Sequence, residues 1–148
     1  MIMKRFFVIV VLIALPLVAM AQKGLAIESV MNDIARYTSH NNQVYMEGNS
    51  VSAYGLSLFR SVLARQSAKA VDAMRDAALT DAKQAVDYKT IVRDGVTIAG
   101  YYQLPPLAAD ELNRFVFFRV MDSNSAMLIY MEGETTLDII VNIKLNKK

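Results

Sequence analysis

The sequence predicts an α+β fold: a mainly antiparallel β-sheet with two amphipathic helices packed against it. Three observations lead there. Leu25 to Ser39 and Ala68 to Ala85 carry apolar residues at spacings of three and four, the mark of a one-sided helix. Asp94-Gly95 stands between two runs of strand-forming residues. An Asp-Gly pair suits a two-residue hairpin loop, because both central positions need positive φ. Two further apolar runs, Arg114 to Met121 and Ala126 to Met131, are separated only by the turn residues Asp122-Ser123-Asn124-Ser125. Helices ahead of a run of strands define the class.

The first 21 residues read as a cleavable secretory signal peptide. Lys4 and Arg5 form a short positive region, and Phe6 to Met20 is an apolar run broken only by Pro16. Ala19 and Ala21 supply the small residues a signal peptidase requires, so cleavage is expected before Gln22. The run is shorter than the roughly 20 residues of a bilayer-spanning helix. A single exported small domain is then expected over 22–148, its destination the periplasm or the outside of the cell.

Along that domain, Ile27, Val30, Met31 and Ile34 make the stripe of the first helix, and Asn41-Asn42 reads as a turn. Gln43 to Glu47 is a short strand ended by Gly48-Asn49-Ser50. Leu56 to Leu63 is a second strand candidate, although its alternation is imperfect and a helix from Ser50 onward also fits. In the Ala68 to Ala85 helix, Val71, Met74, Ala78, Leu79 and Ala82 form one face, and Asp72, Arg75, Asp76 and Lys83 the other. Val86 to Val92 and Val96 to Leu104 flank the Asp-Gly turn, and Pro105-Pro106 ends the hairpin. Leu107 to Asn113 is a connection with room for one helical turn at Ala108 to Leu112. The two runs after it are apolar on both faces, which places them at the sheet centre or under cover on each side. In the last segment, Thr135-Thr136-Leu137-Asp138 matches a helix capping box. Against it, Leu137, Ile139, Val141, Ile143 and Leu145 alternate strictly and are mostly β-branched. A strand is the expectation on balance.

Composition excludes several function classes. The net charge of +2 comes from Lys4 and Arg5; without them the chain carries 14 basic and 14 acidic residues. A nucleic-acid binder would show a basic excess or stripe; only Lys144, Lys147 and Lys148 cluster, as a solvated tail. With no cysteine and one histidine, disulfides and a Cys/His zinc site are not expected. No Asp-rich calcium loop and no phosphate-cradling glycine loop occurs, so no cofactor or metal is expected. The six methionines beyond the leader lie within helical or strand patterns and read as core filler. After residue 21 no apolar stretch approaches membrane-spanning length.

Few residues are candidates for chemistry. His40, at the end of the first helix, is the sole base for a nucleophilic triad, but no serine stands in a nucleophile elbow. Val44-Tyr45-Met46-Glu47-Gly48 recurs as Ile129-Tyr130-Met131-Glu132-Gly133. Two strands that end alike explain this; were they neighbours, Glu47 and Glu132 could act as a carboxylate pair on a glycan or peptide. Tyr101 and Tyr102, with Tyr88 across the hairpin, could form an aromatic contact surface, or could simply pack across strands.

The segments Tyr54-Gly55-Leu56-Ser57-Leu58-Phe59-Arg60-Ser61, Asn113-Arg114-Phe115-Val116-Phe117 and Leu128-Ile129-Tyr130-Met131-Glu132-Gly133, with a leader ending Ala-Gln, resemble a family of small exported Bacteroidales proteins of unassigned function. The resemblance implies a Gram-negative envelope setting and carries no catalytic residues. The expected function is a binding module, its partner unknown, an envelope protein being one candidate. A carboxylate-dependent hydrolase and a structural subunit of an envelope assembly stand as alternatives. The subunit would expose a long unpaired strand or a large apolar patch.

Overall fold

The computed structural model describes residues 24–37, 43–108 and 111–146. Helix α1 (Ala26–Tyr37) buries Ile27 and Met31 and leaves Val30 and Ile34 half-covered, the stripe its spacing requires. Glu28 in its first turn and Arg36 in its last complement the helix dipole. Strand β1 (Gln43–Glu47) leads through two single 3-10 turns, Gly48–Ser50 and Ser52–Tyr54, to β2 (Leu56–Ala64). That settles the open reading of the Leu56 region as strand. Helix α2 (Ala68–Asp81) begins where Ser67 Oγ accepts from the Ala70 N–H at 3.1 Å, and ends in a 3-10 turn at Ala82–Gln84. Its inner face uses Ala77 rather than Leu79, which is exposed.

Strands β3 (Asp87–Arg93) and β4 (Val96–Leu104) form the expected hairpin. Asp94 and Gly95 have φ of 53° and 77°, as a primed turn requires. In the connection after Pro106, the expected helical turn at Ala108 to Leu112 falls partly on residues 109–110, outside the described residues; the Glu111 N–H donates to the Ala108 carbonyl at 3.0 Å. Strands β5 (Asn113–Asp122) and β6 (Ser125–Gly133) follow.

The last element overturns the expected strand: Leu137–Asn146 is a helix, α3. Leu137, Ile140 and Val141 are buried while Ile139 is exposed, which is helical rather than alternating burial. Topology supplies the reason. Strand β6 already has β2 on one side and β5 on the other, so a strand continuing from Gly133 has no free ladder beside it. An apolar sheet face stood uncovered instead. The Leu137 N–H is met by Gln103 Oε1 at 3.0 Å, which fixes the start of α3 on β4.

The six strands run in the order β1-β2-β6-β5-β4-β3, each neighbour antiparallel. The two-sided strands β5 and β6 occupy the centre, as their composition requires. One face, with Leu58, Val62, Leu128, Phe118 and Val116, packs under Met31 of α1 and Val71 and Met74 of α2. The other, with Phe115, Phe117, Ile129 and Met131, packs under Leu137, Ile140 and Val141 of α3. Arg75 of α2 lies 5.7 Å over the Phe118 ring and donates from Nε to the Thr97 carbonyl at 2.9 Å, tying α2 to β4. A Cβ on Gly133 would fall on the Gly55 carbonyl and the Leu56 backbone, so glycine permits the close approach of β6 to the start of β2.

Candidate functional site

Paired residues of antiparallel strands share a sheet face. One row beneath the α1/α2 layer therefore runs Tyr45, Arg60, Tyr130, Val116, Tyr102, Tyr88, and the next runs Glu47, Leu58, Glu132, Arg114, Leu104. The first row carries most of the tyrosines that sequence reasoning singled out. The second carries the two carboxylates.

Glu47 and Glu132 thus lie on one face but are not neighbours. Strand β2 separates them, with Leu58 between, at a backbone separation of about 10 Å for two strand spacings. Glu47, exposed, accepts from the Tyr45 hydroxyl at 3.1 Å. Glu132 is half-buried beside Arg114 and Tyr130. Burial pushes its carboxyl above the ordinary range, while Tyr130 and Arg114 pull it back and Glu111 adds to the rise. The Tyr130 hydroxyl is buried next to this carboxyl without a bond of good geometry, and burial raises its pKa strongly. Two grooves, of about 610 and 550 Å³, flank α1, and neither Glu47 nor Glu132 lines them. The acids do not converge on a common cleft.

A second polar feature escaped the sequence reading. Asp81, buried at the end of α2, accepts from the Ala26 and Ile27 N–H groups at 2.7 and 2.9 Å, and so caps α1 from 55 residues away. Burial raises its pKa, against the two amide bonds and nearby Arg114. Arg114 is itself buried and donates from Nε to the Pro105 carbonyl at 2.9 Å. The available signal was positional: Asp81 follows Met74 by seven and Ala78 by three, on the apolar stripe of α2. An acid there needs a buried partner. This cluster holds elements together. Among the described residues, no group of three His, Cys, Asp or Glu side chains is placed to hold a metal ion.

The tyrosines divide. Tyr102 is 3% exposed, which corrects its expected place on a contact surface. Its ring folds back over Gly100, filling the space a side chain would take there, and its hydroxyl is buried without a partner. Tyr101 points to the opposite face, half-buried edge-on to Phe117 with ring centres 4.9 Å apart. Of the three candidates, Tyr88 is the open one, at 64% exposure. It belongs to β3, every residue of which is exposed. The helix layers leave β3 uncovered apart from one ion pair, Lys89 Nζ to Asp138 Oδ1 of α3 at 3.2 Å; among the described residues β4 is its only strand partner, so the other side of its backbone has no ladder. Val86, Ile91 and Val92 add exposed apolar side chains along it. At the far edge, β1 exposes Val44, Tyr45 and Met46 over a shorter strand. His40 and the cleavage residues Ala19, Ala21 and Gln22 lie outside the described residues. None of the helices is long and apolar enough to cross a membrane, among the described residues.

The pattern of a family described as of unknown function, DUF6108, matches residues 14–143. No curated protein matches the chain.

Proposed function

Because the chain belongs to DUF6108, a family of unknown function, we propose that it is an exported interaction module of a Gram-negative envelope, binding through the bare sheet edge at β3. One observation carries the reading: a seven-residue strand, exposed along its whole length, with Tyr88, Ile91 and Val92 uncovered on a sheet edge that no second strand covers among the described residues. Such an edge is a template for strand addition. Export rests on Lys4, Arg5, the Phe6 to Met20 run and the Ala19-Met20-Ala21 cut site. Two measurements test the reading. N-terminal sequencing of the protein from an envelope fraction should begin at Gln22. Cross-linking in cells should capture a partner that is lost when Thr90→Pro removes a backbone donor from the edge. Capture indifferent to Thr90→Pro would sink it.

The same edge favours a second reading, a structural subunit of an envelope assembly, which requires an unpaired strand. The stoichiometry of the captured complex separates the two: a module binds one for one, and a subunit recurs in many copies.

A further inference from the structure

Resting on the reading of β3 as a binding edge, we infer that its partner is a second copy of this chain, paired antiparallel about a two-fold axis through Thr90. The Asp94-Gly95 turn fixes which backbone groups of β3 point away from β4. In a two-residue hairpin the closing pair, Arg93 and Val96, bonds inward. Alternation along β3 then turns the N–H and C=O groups of Tyr88, Thr90 and Val92 outward; in the single chain the Tyr88 N–H donates to Asp87 Oδ1 at 2.9 Å, a bond that pairing would exchange for one across the strands. The register shift in this hairpin falls between Ile91↔Ala99 and Val92↔Thr97, so the extra residue is on β4 and β3 stays regular.

Pairing β3 with itself through Thr90 brings these three outward residues into register: Thr90 meets Thr90, and Tyr88 meets Val92. Aromatic with β-branched and threonine with threonine are favourable cross-strand pairs. On the opposite face Asp87 meets Arg93 twice by symmetry, and Lys89 meets Ile91. The neighbouring registers that keep the faces matched lose both Asp87–Arg93 pairs. Centred on Lys89, the pairing sets two lysines against each other; centred on Ile91, it sets Lys89 against Arg93 twice. Lys89 already pairs with Asp138 of α3 at 3.2 Å, so the ends of the strand set the register: only the pairing about Thr90 places Asp87 opposite Arg93. The axis stands perpendicular to the sheet, so α3 of both copies stays on one side and the two sheets join into a single one. The pairing closes after two copies, and β1 remains the outer edge of each.

Sedimentation of the purified full chain, in the form the cell processes, tests the assignment. The wild type should show a reversible monomer–dimer equilibrium. Asp87→Arg and Arg93→Asp should each weaken it about tenfold, and the double reversal should restore it to within about threefold, since each cross-strand charge pair occurs twice. Thr90→Pro should also give monomer. Because the chain has no cysteine, Thr90→Cys offers an independent readout: oxidation should yield a disulfide-linked dimer, as the paired Cα atoms would stand about 5.5 Å apart. Leu107→Cys, exposed but off the strand, should not. A wild type that stays monomeric, or a dimer indifferent to both single reversals, overturns the inference. If the monomer still captures an envelope protein that Thr90→Pro releases, self-pairing fails while the edge reading stands; if neither occurs, both fail.

Discussion

Asp81 stands where the α2 stripe asks for an apolar side chain, and its two amide bonds to α1 explain the exception. Asp81→Ala should cost about 2 kcal/mol in urea unfolding, the penalty of leaving buried donors unmet. It should also speed hydrogen exchange at Ala26 and Ile27. Glu132 gives a pH prediction. Its folded pKa is raised, chiefly by burial, so the folded state holds that proton more tightly than the unfolded chain. The stabilisation is full below the ordinary glutamate range and is lost as pH rises through the raised value. Asp81 is shifted the same way. Melting temperature should therefore decline as pH rises just above the ordinary carboxylate range. Glu132→Gln should shrink that slope, and an unchanged slope would refute the assignment. Gly100→Ala would set a methyl into the Tyr102 ring. The ring is buried and cannot swing clear, so a loss of about 2 kcal/mol is expected in the same unfolding assay. None of these contacts was legible beforehand. Asp81 and Ala26 are 55 residues apart, and which of two adjacent tyrosines faces inward depends on a register that the hairpin alone does not set.

At the scale of elements, local chemistry was a good guide where it had one meaning. Asp94-Gly95 specified its turn, and the spacing of Ile27 and Met31 specified a buried stripe. The last segment failed because its apolar residues satisfy two periods at once. Leu137, Ile139 and Val141 alternate, while Leu137, Ile140 and Val141 lie at helical spacing. The uncovered face of the sheet decided between them, and that face exists only after the strands assemble. Substitution separates the two periods. Leu137→Ala should cost about 3 kcal/mol, as for a fully buried leucine. Ile139→Lys, on the exposed side of α3, should change stability by no more than about 0.5 kcal/mol. A strand would make the two residues equivalent. The candidate edge was half legible: the sequence showed the hairpin and Tyr88, but an edge strand is defined by what does not pair with it.

For the whole molecule, β5 and β6 send alternate side chains into both apolar layers. Neither layer persists without these strands, so the chain should unfold in one step. Helical circular dichroism and tyrosine fluorescence, with no tryptophan to complicate it, should give coincident denaturation curves; separated midpoints would show that the layers melt independently. The strand order has one more consequence. The sheet's two halves, β1-β2 and β5-β4-β3, meet only through β6, the last in chain order of the strands among the described residues. Until about residue 133 has emerged, the earlier hairpins have nothing to join, and α3 has no surface to settle on. A polypeptide ordered this way closes its sheet in a single late step, with β6 as the strand that joins two edges formed apart.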